Sequence, residues 1–223
     1  MTTTAKAFSG LLVVVGLFLI IAAVFPVVSY ELFAFTNLRQ NELLSPISQE
    51  KVQGTSASYP PNLTRARNWF VGAPDLQEET PAKIHFYNIS IPKLGIEDAV
   101  VEIGGDDLAK NLIHYKGTAL PGRRGNTVIF GHSTLPFLFN PRNYLSIFST
   151  LPTLKSGDEI KINYDGIVYN YRIEEMFEVK PTDVQVLEQR YDDSYITLIT
   201  CVPPGTYLKR LVVRGRLVPP EQL

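Results

Sequence analysis

From Ala7 to Tyr30 the chain runs 24 residues without a formal charge, and Leu, Val, Ile, Phe and Ala dominate the run. A stretch of this kind constrains the fold more than anything else in the sequence, because it is too apolar to lie on a protein surface. A helix rises about 1.5 Å per residue, so the run is long enough to cross roughly 30 Å of hydrocarbon. Pro26 sits near one end, where a membrane helix tolerates it, and no A-x-A-like cleavage site comes after it. The expectation is an uncleaved transmembrane anchor over residues 1–30. Lys6 and the terminal amine precede the run and Glu31 comes directly after it, which favours a cytoplasmic N-terminus and an external remainder.

Beyond the anchor the chain divides in two. Residues 31–81 are polar and irregular, with "SPISQEKVQGTSASYPPN" rich in Ser, Gln, Pro and Gly, and read as a stalk. Within it, "ELFAFTNLRQNELL" can prolong the membrane helix and "NLTRARNWF" can form a short packed helix. Trp69 and Phe70 are expected to pack against the globular part, away from any active site. Residues 82–223 change pattern to short runs rich in Val, Ile, Tyr and Phe, split by turn residues: "IHFYNISIP", "DAVVEI", "NTVIFGH", "YITLITC", "RLVVRGRLV". Several alternate with period two, and "YDG" between "IKIN" and "IVYNYRI" is a hairpin signal. The fold class is mainly β, a largely antiparallel barrel or sandwich with helical breaks near "DDLAKNLI" and "NYLSIFSTL". With 21 basic against 22 acidic residues, charge gives no reason to expect a nucleic-acid partner. No Gly-rich phosphate loop and no Cys/His spacing suited to zinc stands out.

The single cysteine, Cys201, ends the apolar run "YITLIT" and is succeeded at once by "VPPG". Outside the cytoplasm a thiol has no partner in its own chain, which makes it a functional candidate. The competing reading is a buried, inert Cys acting as a small hydrophobe. A nucleophilic thiol needs a base, and three histidines are available. His85 lies in an apparent strand and His114 at the exit of an apparent helix. His132 comes after "NTVIF" and a glycine, where a buried strand emerges, a position open to catalysis or to a structural hydrogen bond. Arg210 begins the next strand, so a hairpin returns it to the cysteine, where a guanidinium can steady an oxyanion. Arg214 and Arg216 continue in period-two register and read as a solvated barrel exterior.

These segments together resemble the sortase family of membrane-anchored cysteine transpeptidases. "TALPGRRGNTVIFGHS", then "TLITC", then "RLVVRG" with its Arg nine positions after the Cys, occur in family order from about Ile89 to Leu217. The resemblance implies a closed β-barrel with a groove in one wall. It implies Cys201 as nucleophile, His132 as general acid and base, Arg210 as the oxyanion and substrate-positioning group, and Thr200 as a residue shaping the substrate site. His114 matches the pattern outside this trio, which implies a structural role. The implied reaction cleaves an LPxTG-like C-terminal sorting signal and transfers the protein to an amino acceptor, a cell-wall precursor or a pilin lysine, without a cofactor or metal. The spacing leans towards the pilin-type and related short-loop classes, although the stalk lacks an Asp-Pro-aromatic lid. Competing readings are a cysteine peptidase that hydrolyses its thioester and a non-enzymatic anchored β-barrel binding module. A groove thiol should react with a small electrophile in the folded protein and a core thiol should not.

Overall fold

The structure is a computed structural model that describes residues 3–38, 62–73 and 84–219. It comprises two compact units, the N-terminal helix and the barrel C-terminal to it. Helix α1, Thr3–Asn37, carries the uncharged run and continues through "ELFAFTN", as expected. Its apolar window, Gly10–Thr36, spans 27 residues and contains one charged side chain, Glu31. Pro26 lies inside it, and Ser29 Oγ donates to the Pro26 carbonyl at 3.0 Å. The continuation "RQNELL" and most of the stalk fall outside the described residues.

The second unit is a closed eight-stranded barrel in the order β1-β2-β3-β4-β7-β8-β6-β5, closed by β5 against β1. The strands are β1 Phe86–Ile91, β2 Ile96–Ile103, β3 Leu112–His114, β4 Gly125–Phe130, β5 Glu159–Tyr164, β6 Ile167–Val179, β7 Ser194–Val202 and β8 Lys209–Leu217. The predicted hairpin is present: Asp165 and Gly166 both take positive φ, 53° and 73°, as the tight turn between β5 and β6 requires. Most pairings are antiparallel, but β2 with β3 and β4 with β7 are parallel.

Two expectations are corrected. "DDLAKNLI" is not helical: Leu112–His114 pair with β2 and β4 instead, because Leu112 and Ile113 gain full burial in the barrel wall. "NYLSIFSTL" forms successive turns, with i→i+3 bonds such as Ser149 N to Ser146 O, ending in a short 3-10 turn at Leu151–Thr153. Tight turns here let Ile147, Phe148 and Leu151 all bury at 1% exposure or less.

β4 and β7 are buried along their whole length. Successive strand residues face opposite sides, so such burial means both faces are covered. One face lines the barrel interior. On the other, Val128, Phe130, Phe177, Val179, Ile199, Cys201 and Val212 cluster with residues from outside the barrel: Ala66, Trp69 and Phe70 of the 62–73 segment, Leu108 of the β2–β3 loop, and Val186 and Leu187 of the β6–β7 loop.

Candidate active site

Register decides which side chains meet. In the β7–β8 ladder Cys201 stands directly opposite Arg210. In the parallel β4–β7 ladder Phe130 stands opposite Ile199, and since parallel strands advance together, His132 comes level with Cys201 two residues on. The bonds beyond the ladder keep that alignment: Gly131 N donates to Ile199 O at 3.1 Å, and Ser133 Oγ donates to Cys201 O at 2.6 Å. Adjacent strands lie about 4.8 Å apart, so His132 and Arg210 flank Cys201 on neighbouring strands and on one face. The residue before His132 has to be glycine for packing reasons, for a Cβ at Gly131 would collide with the Phe148 ring and the Leu112 side chain.

The other candidates separate cleanly. Thr200 points to the opposite face, is fully buried, and donates its hydroxyl to Gly131 O at 2.8 Å, so it holds the residue before His132 and does not line the groove. His114 sits inside the barrel, with Nδ1 2.9 Å from the Tyr87 hydroxyl and Nε2 3.0 Å from Thr118 Oγ1. Its burial pulls the imidazole down to about 4. His85 lies just before β1, where its carbonyl accepts from Ile103 N. Arg214 is paired with Glu175 at 2.8 Å and Arg216 with Glu174 at 2.9 Å, both away from the thiol.

The groove is not open. Residues 62–73 lie across it, and Trp69, which the sequence placed away from any site, is its cover. The Trp69 ring stacks on Phe130 with centroids 5.3 Å apart, meets the His132 ring at 5.9 Å, and has the Arg210 guanidinium 5.6 Å from its centroid. Its carbonyl accepts from both Arg210 Nε at 3.1 Å and Nη2 at 2.9 Å, while Nη1 donates to the carbonyls of Tyr207 and Lys209. The segment is fastened on both sides of the groove. Asp106 accepts from Arg65 Nη1, Arg67 Nε and Arg67 N, residues 65 and 107 form a β-bridge, and Val71 N donates to Pro181 O at 2.9 Å. Trp69 fits this path because its indole N–H finds Leu63 O at 2.8 Å, leaving no buried donor unpaired on the ring.

The cover sets the electrostatics. Burial pushes the Cys201 thiol up, with the Arg210 charge opposing it in part, and burial pulls the His132 imidazole down, with Asp107 opposing. Both shifts favour the neutral thiol and the neutral imidazole, whereas a nucleophile needs thiolate. His132 Nε2 is buried with no hydrogen-bond partner among the described residues. No group of three or more His, Cys, Asp or Glu suited to a metal ion occurs among them.

Known proteins are similar to this chain over the barrel. The sortase domain family model matches residues 89–218. Sortase A of Bacillus anthracis is 32% identical over 155 residues, covering 66% of this chain and 69% of that protein. Among solved structures, the sortase D5 transpeptidase of Clostridium perfringens is similar at 31% identity and TM-score 0.52, covering 60% of this chain and 79% of that one. The pilus-related sortase C of Group B Streptococcus is similar at 30% identity and TM-score 0.54, covering 63% and 70%. With the matched region spanning nearly the whole barrel and both strands that carry the thiol and the imidazole, the chain belongs to the sortase family of cysteine transpeptidases.

Proposed function

We propose that Cys201, His132 and Arg210 carry the transpeptidation, with sorting-signal proteins as donors and an amino group as acceptor. The observation that supports this most is the cross-strand pair Cys201–Arg210 with His132 level on the adjoining strand. With the cover displaced, the Cys201 thiol gives its proton to His132 and adds as thiolate to the scissile carbonyl of an LPxTG-like signal. Arg210 donates to the developing oxyanion, and His132 hands a proton to the departing amine, which leaves a thioester. An acceptor amine then adds to the thioester, gives its surplus proton to His132, and expels the Cys201 thiolate as the amide forms. Thr200 acts indirectly, through Gly131, on the placement of His132.

Before acylation the 62–73 segment moves. The Trp69 carbonyl holds the two guanidinium donors that a substrate carbonyl needs, so cover and substrate are mutually exclusive. Helix α1 serves as a single-pass anchor with the barrel on the outer side, the orientation favoured by Lys6. A pilin lysine is one acceptor class, in line with the pilus-related relative. The test is mass spectrometry of the full chain in detergent with a panel of C-terminal signal peptides and an added amine. An acyl adduct on Cys201, chased to amide by the amine, is expected. An adduct that only water discharges indicates a peptidase, and no adduct with any peptide overturns the reading.

A further inference from the structure

Between β6 and β7 the chain leaves the barrel at Val179 and returns at Ser194, making a 3-10 turn at Val184–Leu187 on the way. This loop is a wall of the covered groove. Val186 and Leu187 pack in the same cluster as Trp69 and Cys201, and Pro181 O receives the cover's Val71 N–H. A wall made of loop needs something to fix its distance from the catalytic strands. One carboxamide does so. Gln189 Oε1 accepts from Asn126 N at 3.0 Å and Ala119 N at 3.1 Å, and its Nε2 donates to Asn126 O at 3.0 Å and Leu187 O at 3.3 Å. The side chain thus pairs with both the N–H and the C=O of Asn126, as a neighbouring strand would. Every donor and acceptor it owns is used.

Asn126 reciprocates. Its Nδ2 donates to Val186 O at 3.2 Å and Glu188 O at 3.4 Å, while its Oδ1 accepts from Thr197 Oγ1 at 2.7 Å. Asn126 lies near the start of β4, the strand that leads to His132, and Thr197 lies on β7, four residues before Cys201. The loop is therefore tied to the two strands that present imidazole and thiol, through side chains that touch neither. Barrel stability alone does not call for such an arrangement, because the β4–β7 ladder is already complete from Gly125 to Phe130.

We propose that Asn126 and Gln189 are positioning residues that hold the β6–β7 wall in register with the catalytic strands and so set recognition of the sorting signal. This rests on the sortase reading of the site. Two variants test it in the full chain. Gln189→Glu keeps the shape and the two accepted bonds but turns an acceptor towards Asn126 O and Leu187 O; Gln189→Leu removes all four bonds. The probe is a quenched fluorescent peptide bearing Leu-Pro-Ala-Thr-Gly, with triglycine as acceptor. KM is expected to rise about tenfold in both variants, the scale of a lost buried hydrogen bond, with kcat within about twofold of the parent. Alkylation of Cys201 by iodoacetamide should keep the parent's rate once the cover is opened by Trp69→Ala in each background. Unchanged KM in both variants, or kcat falling while KM holds, overturns the proposal. Absence of turnover in the parent chain counts instead against the sortase reading itself.

Discussion

Trp69→Ala should turn a protected thiol into a reactive one. The ring is fully buried, stacked on Phe130 and set against His132 and Arg210, so its loss falls in the class of buried aromatic truncations that cost about 3–5 kcal/mol. Most of that cost is borne by docking of the 62–73 segment, because the ring's partners stay fixed in the barrel strands. At about 1.4 kcal/mol per factor of ten, the open fraction rises at least 100-fold, until opening saturates. Asp106→Asn acts at the far end of the segment. It removes the charge facing Arg65 and Arg67, both well exposed, so the increase should be much smaller than for Trp69→Ala. The assay is the second-order rate of iodoacetamide on Cys201, unambiguous because the chain has one cysteine. A thermal melt of each variant separates opening of the cover from unfolding of the barrel. Equal alkylation rates in the parent, Trp69→Ala and Asp106→Asn chains would refute the guarding role of the cover, since the thiol would then be reached by another route.

Two further outcomes are expected. Arg210→Lys keeps the charge but loses the planar fork, and should lower kcat about 100- to 1000-fold, while Arg214→Lys and Arg216→Lys, paired with Glu175 and Glu174, stay near normal. For His114 the folded value of about 4 lies below the ordinary 6.5, so the unfolded chain binds the proton more readily. Stability should fall as pH drops from 6.5 towards 4, by a total on the order of 3 kcal/mol, and His114→Gln should flatten that slope in denaturant titrations at several pH values.

The strands were legible because alternation and β-branched content are local properties, and the runs "YITLITC" and "RLVVRGRLV" fall within a residue of β7 and β8 at each end. Which strands run parallel was not, since the partner of β4 is set by burial of both its faces and not by its neighbours in sequence. "DDLAKNLI" misled because Leu108 and Leu112 sit four apart, a helical spacing, yet one packs under the cover and the other in the barrel wall. The placement of Cys201, His132 and Arg210 could be read because each stands at the end or start of an apolar run. Trp69 could not, for it lies in a polar stretch without periodicity and its carbonyl meets Arg210 at a separation of 141 residues.

The full burial of β7 has a consequence in time. Its amides are bonded on one side to β4 and on the other to β8, and exchanging them with solvent requires opening the barrel itself. The 62–73 segment is held from one side only, by bonds at its two flanks, by the Trp69 carbonyl in the middle and by the packing of Ala66, Trp69 and Phe70 on the barrel. In a hydrogen-exchange experiment Ile199 and Thr200 should therefore report the stability of the whole unit, while Ala66, Trp69 and Val71 report a smaller, local opening. On the proposed mechanism, the strands that present Cys201 and Arg210 would then open more rarely than the segment that covers them, and access to the thiol would follow the motion of that cover.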